Sequence, residues 1–197
     1  MRITGGTARN RRLKAPGSGK KDSIRPTGDR VREALFSILG DKVAGARILD
    51  LFAGTGSLGL EALSRGAASA VFVDSRPEAL DLIRLNLKAC FKDANVEIIR
   101  MNLARPAAFS TLIKKVSSKN GLFDLIFLDP PYEKKLAEST LTVVEKTGLP
   151  IPNGYAIAEE RANVSLPERF NNLLLEQQRR YGDTGIWIYR EGKTGQL

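Results

Sequence analysis

The chain has 197 residues, 42% apolar and 27% charged, enough for one α/β domain with a real core and too few for two large ones. It contains no histidine and one cysteine, Cys90, which excludes imidazole catalysis, Ser-His-Asp triads, histidine-ligated zinc and internal disulfides; no resident metal is expected. No apolar run approaches the roughly 20 residues of a membrane helix and the N-terminus lacks a signal-peptide core, so the cytoplasm is the expected compartment.

The net charge of +9 is concentrated at one end. Residues 1–32 hold ten Lys or Arg against Asp22 and Asp29, a balance of +8, and the other 165 residues carry +1. Residues 1–24 therefore read as a basic arm whose Arg9, Arg11, Arg12 and Lys14 would bind phosphates without reading sequence. Two short β-capable pieces flank Gly5-Gly6 within Met1 to Lys14, predicting a small hairpin, and Pro16 to Lys21 reads as a linker. The remaining chain, residues 25–197, is expected to form one domain. After Pro26, Thr27 or Asp29 could cap a helix with Val31, Ala34, Leu35, Ile38 and Leu39 on its apolar stripe.

Ile48 to Phe52 is an apolar run broken only by Asp50, a buried parallel strand by pattern. Gly54, Gly56 and Gly59 follow in the spacing G-x-G-x-x-G, which permits a tight turn and close approach of a ligand before a helix over Ser57 to Arg65 ended by Gly66. Asp74 closes the next apolar run, Ala70 to Val73, twenty residues after Gly54, where a carboxylate would bind ribose hydroxyls. On these features a dinucleotide-binding oxidoreductase fits as well as any other nucleotide-cofactor enzyme. Ser75-Arg76 leads to Pro77 in a helix first turn and a helix over Glu78 to Phe91, with Ala79, Leu82, Ile83, Leu85, Leu87 and Cys90 as its apolar residues.

Val96 to Ile99 predicts a third strand and Ala107 to Val116 a helix. Phe123 to Leu128 is another buried-strand run, placing Asp129 at a strand's carboxyl end, the side where open α/β sheets bind ligands. Pro130 and Pro131 fix two φ angles, so the Asp129 carboxylate and its neighbouring carbonyls are held in advance, and Tyr132 adds an aromatic face. Hydride transfer has no evident use for that corner. A helix over Lys134 to Lys146, a fifth strand over Gly154 to Ala158, and a closing antiparallel hairpin of Leu173 to Tyr181 with Ile186 to Arg190 complete the pattern.

The glycine loop, Asp74 and Asp129-Pro130-Pro131-Tyr132, in that order, resemble the S-adenosylmethionine-dependent methyltransferases that modify exocyclic amines of nucleobases. Arg25-Pro26-Thr27 with the following helix, and Arg180 to Thr184, resemble more narrowly the bacterial enzymes that methylate N2 of a guanine in small-subunit ribosomal RNA. The resemblance runs from about Met1 to Arg190. It implies a Rossmann-like, seven-stranded class I methyltransferase sheet, mostly parallel with the antiparallel hairpin at its end. It implies S-adenosylmethionine held by Arg25, Thr27, Asp50, Phe52, Gly54, Thr55, Gly56, Asp74, Ser75, Arg76, Asn102, Leu103 and Asp129, with S-adenosylhomocysteine as product. Asn102 stands where the family often has an aspartate near the adenine. Catalysis would fall to Asp129, Pro130, Pro131 and Tyr132, and the acceptor would be ribosomal RNA or a small-subunit assembly particle met by a monomer. Enzymes acting on adenine N6 or on protein glutamine share this tetrapeptide type, and an RNA-binding protein on an inactive methyltransferase fold is the non-enzymatic alternative.

Overall fold

The computed structural model describes residues 1–16, 28–117, 122–131 and 136–192. The chain divides into two compact units, Met1–Arg100 and Met101–Leu197.

In the first unit, strands β1 (Arg47–Leu51), β2 (Ser69–Asp74) and β3 (Val96–Arg100) run parallel in the order β3-β2-β1. Every residue of β1 after Arg47 and of β2 after Ser69 is buried, as expected for near-continuous apolar runs covered on both faces. Helices α1 (Asp29–Leu39), α2 (Ser57–Ser64) and α3 (Pro77–Cys90) accompany them.

Two expectations change here. Gly28 precedes α1 and provides no side-chain cap; Asp29, in the first turn, pairs instead with Arg32 at 3.0 Å. In α3 the buried residues are Ala79, Leu80, Ile83 and Asn86, while Leu85 is 47% exposed and Cys90 is only half-buried. The helical repeat therefore turns a polar residue inward where a leucine was expected.

The basic N-terminal residues are folded onto α2. Ile3, Ala8 and Leu13 are buried, and an antiparallel bridge joins Arg2 to Arg12. Ile3 N–H donates to the Arg11 carbonyl (3.0 Å) and Leu13 N–H to the Met1 carbonyl (3.1 Å). Gly5-Gly6 is not a tight hairpin turn. Gly6 lies so close to α2 that a Cβ on it would stand 1.7 Å from the Ser64 carbonyl oxygen.

Glu61 of α2 fastens this segment. Its buried carboxylate accepts from Thr4 N–H, the Thr4 hydroxyl and Gly5 N–H, each at 2.8 Å, and from Arg32 Nε (3.1 Å) and Arg65 Nε (2.8 Å). Burial alone would raise the Glu61 pKa, but these donors outweigh it and hold it below the usual value.

In the second unit, β4 (Phe123–Leu128) pairs in parallel with β5 (Pro150–Arg161). Strands β6 (Arg169–Phe170), β7 (Leu173–Tyr181) and β8 (Thr184–Glu191) add antiparallel, in the order β4-β5-β8-β7-β6. Helices α4 (Pro106–Ser117) and α5 (Leu136–Lys146) belong to the same unit.

Eight strands are present among the described residues, against the seven expected. The addition is β6, held beside β7 because Phe170 packs edge-on against Tyr189 at 5.4 Å and the Tyr189 hydroxyl donates to the Pro167 carbonyl at 2.8 Å. The β5 strand also begins earlier than Gly154, at Pro150, through a register shift against β4. Among the described residues no helix is long and apolar enough to cross a membrane.

Replacing Glu61 by Ala leaves the fully buried Arg32 guanidinium without its buried carboxylate partner, a loss of about 3–5 kcal/mol. Urea unfolding should show a fall of that size, and amide exchange should show Thr4 and Gly5 losing protection first.

Candidate functional site

The first cluster forms where β1 gives way to α2. Phe52 is held at φ 60°, a left-handed conformation that is uncommon for a bulky residue and gathers at functional sites. Gly54 (φ 57°) and Gly56 (φ 76°) continue the turn, and Gly56 directly precedes α2. Gly54, Thr55 and Gly56 are buried and Phe52 is half-buried. Gly59 serves packing: a Cβ there would stand 2.4 Å from the Phe72 ring.

Two carboxylates hold the loop. Asp50, 1% exposed, accepts the Gly59 N–H at 2.9 Å and so ties α2 to β1. Burial pushes its pKa from 3.8 up to about 8, the Gly59 N–H opposes this, and the nearby Asp74 charge adds to it. Asp74 accepts the Gly54 N–H at 2.9 Å through Oδ2. It also accepts the Arg76 N–H at 3.0 Å, with the Arg76 guanidinium at 3.1 Å from each carboxylate oxygen. Ser75, between them, is exposed, and its carbonyl accepts from Arg100 Nε at 3.3 Å. Asp50, Phe52, the three loop residues, Asp74 and Arg76 thus come together as one cluster. A carboxylate at a strand end beside a buried, glycine-shaped turn is a donor and acceptor set that suits a nucleoside with ribose hydroxyls.

In the second unit, Asp129, half-buried, follows β4 directly, with Pro130 buried and Pro131 exposed. Asn102 is exposed and Leu103 buried; Asn102 Oδ1 accepts the Ala104 N–H at 3.1 Å in the turn that opens α4. Arg9, Arg11, Arg12 and Lys14 are all exposed on the docked N-terminal segment. Arg25, Thr27, Tyr132 and the linker from residue 17 onward lie outside the described residues.

Two residues near the glycine loop escape sequence reasoning. Asn86 is fully buried on α3 and donates to the Thr55 carbonyl at 3.0 Å. The Thr55 hydroxyl stands 4.0 Å from the Met1 sulfur. The signal for Asn86 was a polar residue on the Ala79–Ile83 face of α3; for Met1 there was none.

The chain matches the protein family described as Conserved hypothetical protein 95 over residues 1–190. Ribosomal RNA small subunit methyltransferase D of Escherichia coli is 35% identical over 197 residues, covering 100% of this chain and 92% of that protein. The chain belongs to this methyltransferase D family. YlbH of Bacillus subtilis is 36% identical over 191 residues, 97% of this chain and 99% of YlbH. The solved structure of yhhF from Escherichia coli superposes with a TM-score of 0.79 at 33% identity, covering 98% of each chain. Membership in the methyltransferase D family sets aside the dinucleotide oxidoreductase that the glycine loop alone had allowed, and the α/β fold with its antiparallel end is that of the family's solved structures.

Because folded Asp50 keeps its proton up to about pH 8 while the unfolded chain releases it near 3.8, stability falls as pH rises across that interval. Asp50→Asn, which retains an acceptor for Gly59 N–H, removes this dependence. Chemical denaturation of the ligand-free protein from pH 5 to 8 should therefore show the variant gaining on the wild type with each step upward.

Proposed function

We propose that the chain transfers a methyl group from S-adenosylmethionine to the exocyclic N2 of a guanine in small-subunit ribosomal RNA. The observation that carries this reading is Asp129-Pro130-Pro131 at the carboxyl end of β4, in a chain of the methyltransferase D family. The cofactor would lie in the glycine-loop cluster, with Asp74 on its ribose and Phe52, Gly54, Thr55 and Gly56 along it. Asn102 and Leu103 would flank its adenine, and Arg25 and Thr27 would close over its methionine end. When bound, it supplies an electrophilic methyl carbon on a sulfonium sulfur.

The difficulty of the reaction lies in the acceptor, because the N2 lone pair is delocalised into the purine. Asp129 carboxylate and Pro130 carbonyl each accept one N–H of the amine, which favours a pyramidal nitrogen with its lone pair directed away from both. The prolines hold these acceptors in place before the base arrives, so the alignment costs no reorganisation. Tyr132 stacks on the base once it is flipped from its helix or loop. As the new N–C bond forms and the C–S bond breaks, the amine becomes acidic and passes its proton to Asp129 or to solvent. Asp129 therefore positions more than it deprotonates.

Arg9, Arg11, Arg12 and Lys14, exposed on a segment anchored by buried Ile3, Ala8 and Leu13, supply phosphate contacts. On this reading the protein works in the cytoplasm as a monomer on ribosomal RNA or on a small-subunit assembly particle.

Asp129→Ala should lower the rate of methyl transfer by about a hundredfold or more, a far larger loss than any weakening of S-adenosylmethionine binding read by calorimetry; full turnover would remove Asp129 from the mechanism. Replacing Arg9, Arg11 and Arg12 together by Ala should weaken RNA binding and reduce the slope of log K against log salt by about two, with cofactor affinity unchanged. The target itself is read by mapping N2-methylguanines in small-subunit ribosomal RNA from cells lacking the protein: one site should vanish, and an unaltered map would refute the assignment.

A further inference from the structure

Asn86 is fully buried on α3, and its amide is shared between two pieces of chain with different proposed duties. Its Oδ1 accepts the Lys14 N–H at 2.7 Å. Its Nδ2 donates to the Lys14 carbonyl at 3.1 Å and to the Thr55 carbonyl at 3.0 Å. Lys14 ends the basic segment, and Thr55 lies between the two left-handed glycines of the loop, Gly54 and Gly56. Both partners are gripped by the backbone, so the Lys14 ammonium stays available to solvent and the Thr55 peptide has its orientation fixed by a buried donor it cannot exchange for water.

A planar amide with three hydrogen bonds cannot follow one partner without bending its bonds to the other. A shift of the Thr55 peptide, of the kind a ligand seated on a glycine turn imposes, tilts the amide and is felt at Lys14. A pull on Lys14 is felt at Thr55 in the same way. Near the same point the Met1 sulfur meets the Thr55 hydroxyl at 4.0 Å, a second contact between the segment and the loop.

We propose that Asn86 is a positioning residue that couples cofactor occupancy of the glycine loop to RNA engagement by the Arg9–Lys14 segment. The inference rests on the assignment of cofactor and RNA to these two places made above, and adds that the two bindings are not independent. Thermodynamic reciprocity then requires each ligand to change the affinity of the other by the same factor. The side chain of Lys14 contributes charge to RNA, whereas its backbone carries the coupling.

The test is calorimetric titration of S-adenosylhomocysteine, which cannot react, into the full chain alone and saturated with a small-subunit ribosomal RNA transcript, followed by titration of the transcript with and without S-adenosylhomocysteine. For the wild type each ligand should tighten the other by an equal factor of about 5 or more. In Asn86→Ala that factor should fall to about 1, with thermal melting verifying that the variant remains folded. Asn86→Asp keeps the acceptor for Lys14 N–H but loses the donors to Thr55 and Lys14, and should lose the coupling as well. Lys14→Ala should bind RNA more weakly yet retain the full factor. A wild-type factor of 1, or a full factor in a folded Asn86 variant, overturns the inference and leaves the proposed function intact. Failure of S-adenosylhomocysteine to bind at all overturns the proposed function instead.

Discussion

Glu61 is a carboxylate with no exposed side-chain surface, and a charge in that position is tolerable only if donors surround it. Two of its donors come from Arg32 on α1 and Arg65 just past the end of α2; the other three come from Thr4 and Gly5. The N-terminal segment is therefore a condition for burying Glu61 at all. Because Glu61 sits on the helix that the glycine loop feeds, the same requirement fixes the basic residues relative to that loop. The Arg2 carbonyl, accepting from the Arg32 guanidinium, and the Ser64 hydroxyl, accepting from Ala8 N–H at 2.9 Å, extend the clasp along the segment. Residues 1–14 of the stretch that composition marks as a charged arm thus pack as a layer of the first unit, with Arg9, Arg11, Arg12 and Lys14 outward and Ile3, Ala8 and Leu13 inward.

The strands were legible because buried parallel strands write themselves as apolar runs bounded by turn residues. Ile48–Phe52, Ala70–Asp74 and Phe123–Leu128 follow that rule closely, and the matching strands begin and end within one residue of the runs. What sequence could not show was long-range and specific. The two-residue β6 exists because one phenylalanine meets Tyr189, and nothing local to Arg169-Phe170 announces a strand. The inward face of α3 was misread because a count of leucines favours Leu82, Leu85 and Leu87, whereas the helical period through Ala79 and Ile83 arrives at Asn86. Spacing should have overruled hydrophobicity there.

The cluster around the glycine loop divides in the same manner. Gly54, Gly56 and Asp74 were readable from spacing, since a tight turn and a carboxylate at the next strand end are backbone requirements. The structure gives Asp50 and Gly59 a joint purpose the pattern did not contain: one accepts the other's N–H, and Phe72 fills the space that any side chain at Gly59 would need. The third glycine of the pattern therefore answers to packing, and the first two to the shape of the turn. Asn86 and Met1 reach the loop only through the fold, from thirty-one residues downstream and fifty-four upstream of Thr55, distances over which no local motif operates.

Asp74 is already engaged by its own chain. The Arg76 guanidinium, 41% exposed, spans both carboxylate oxygens in the manner of a temporary occupant. On the proposed reading an incoming ribose shares the Asp74 carboxylate with that guanidinium, exchanging part of an ion pair for neutral hydroxyl bonds. Dissolved electrolyte loosens such a pair, so ionic strength would act on the two ligands with opposite sign, easing nucleoside entry while it weakens the grip on polyanionic RNA.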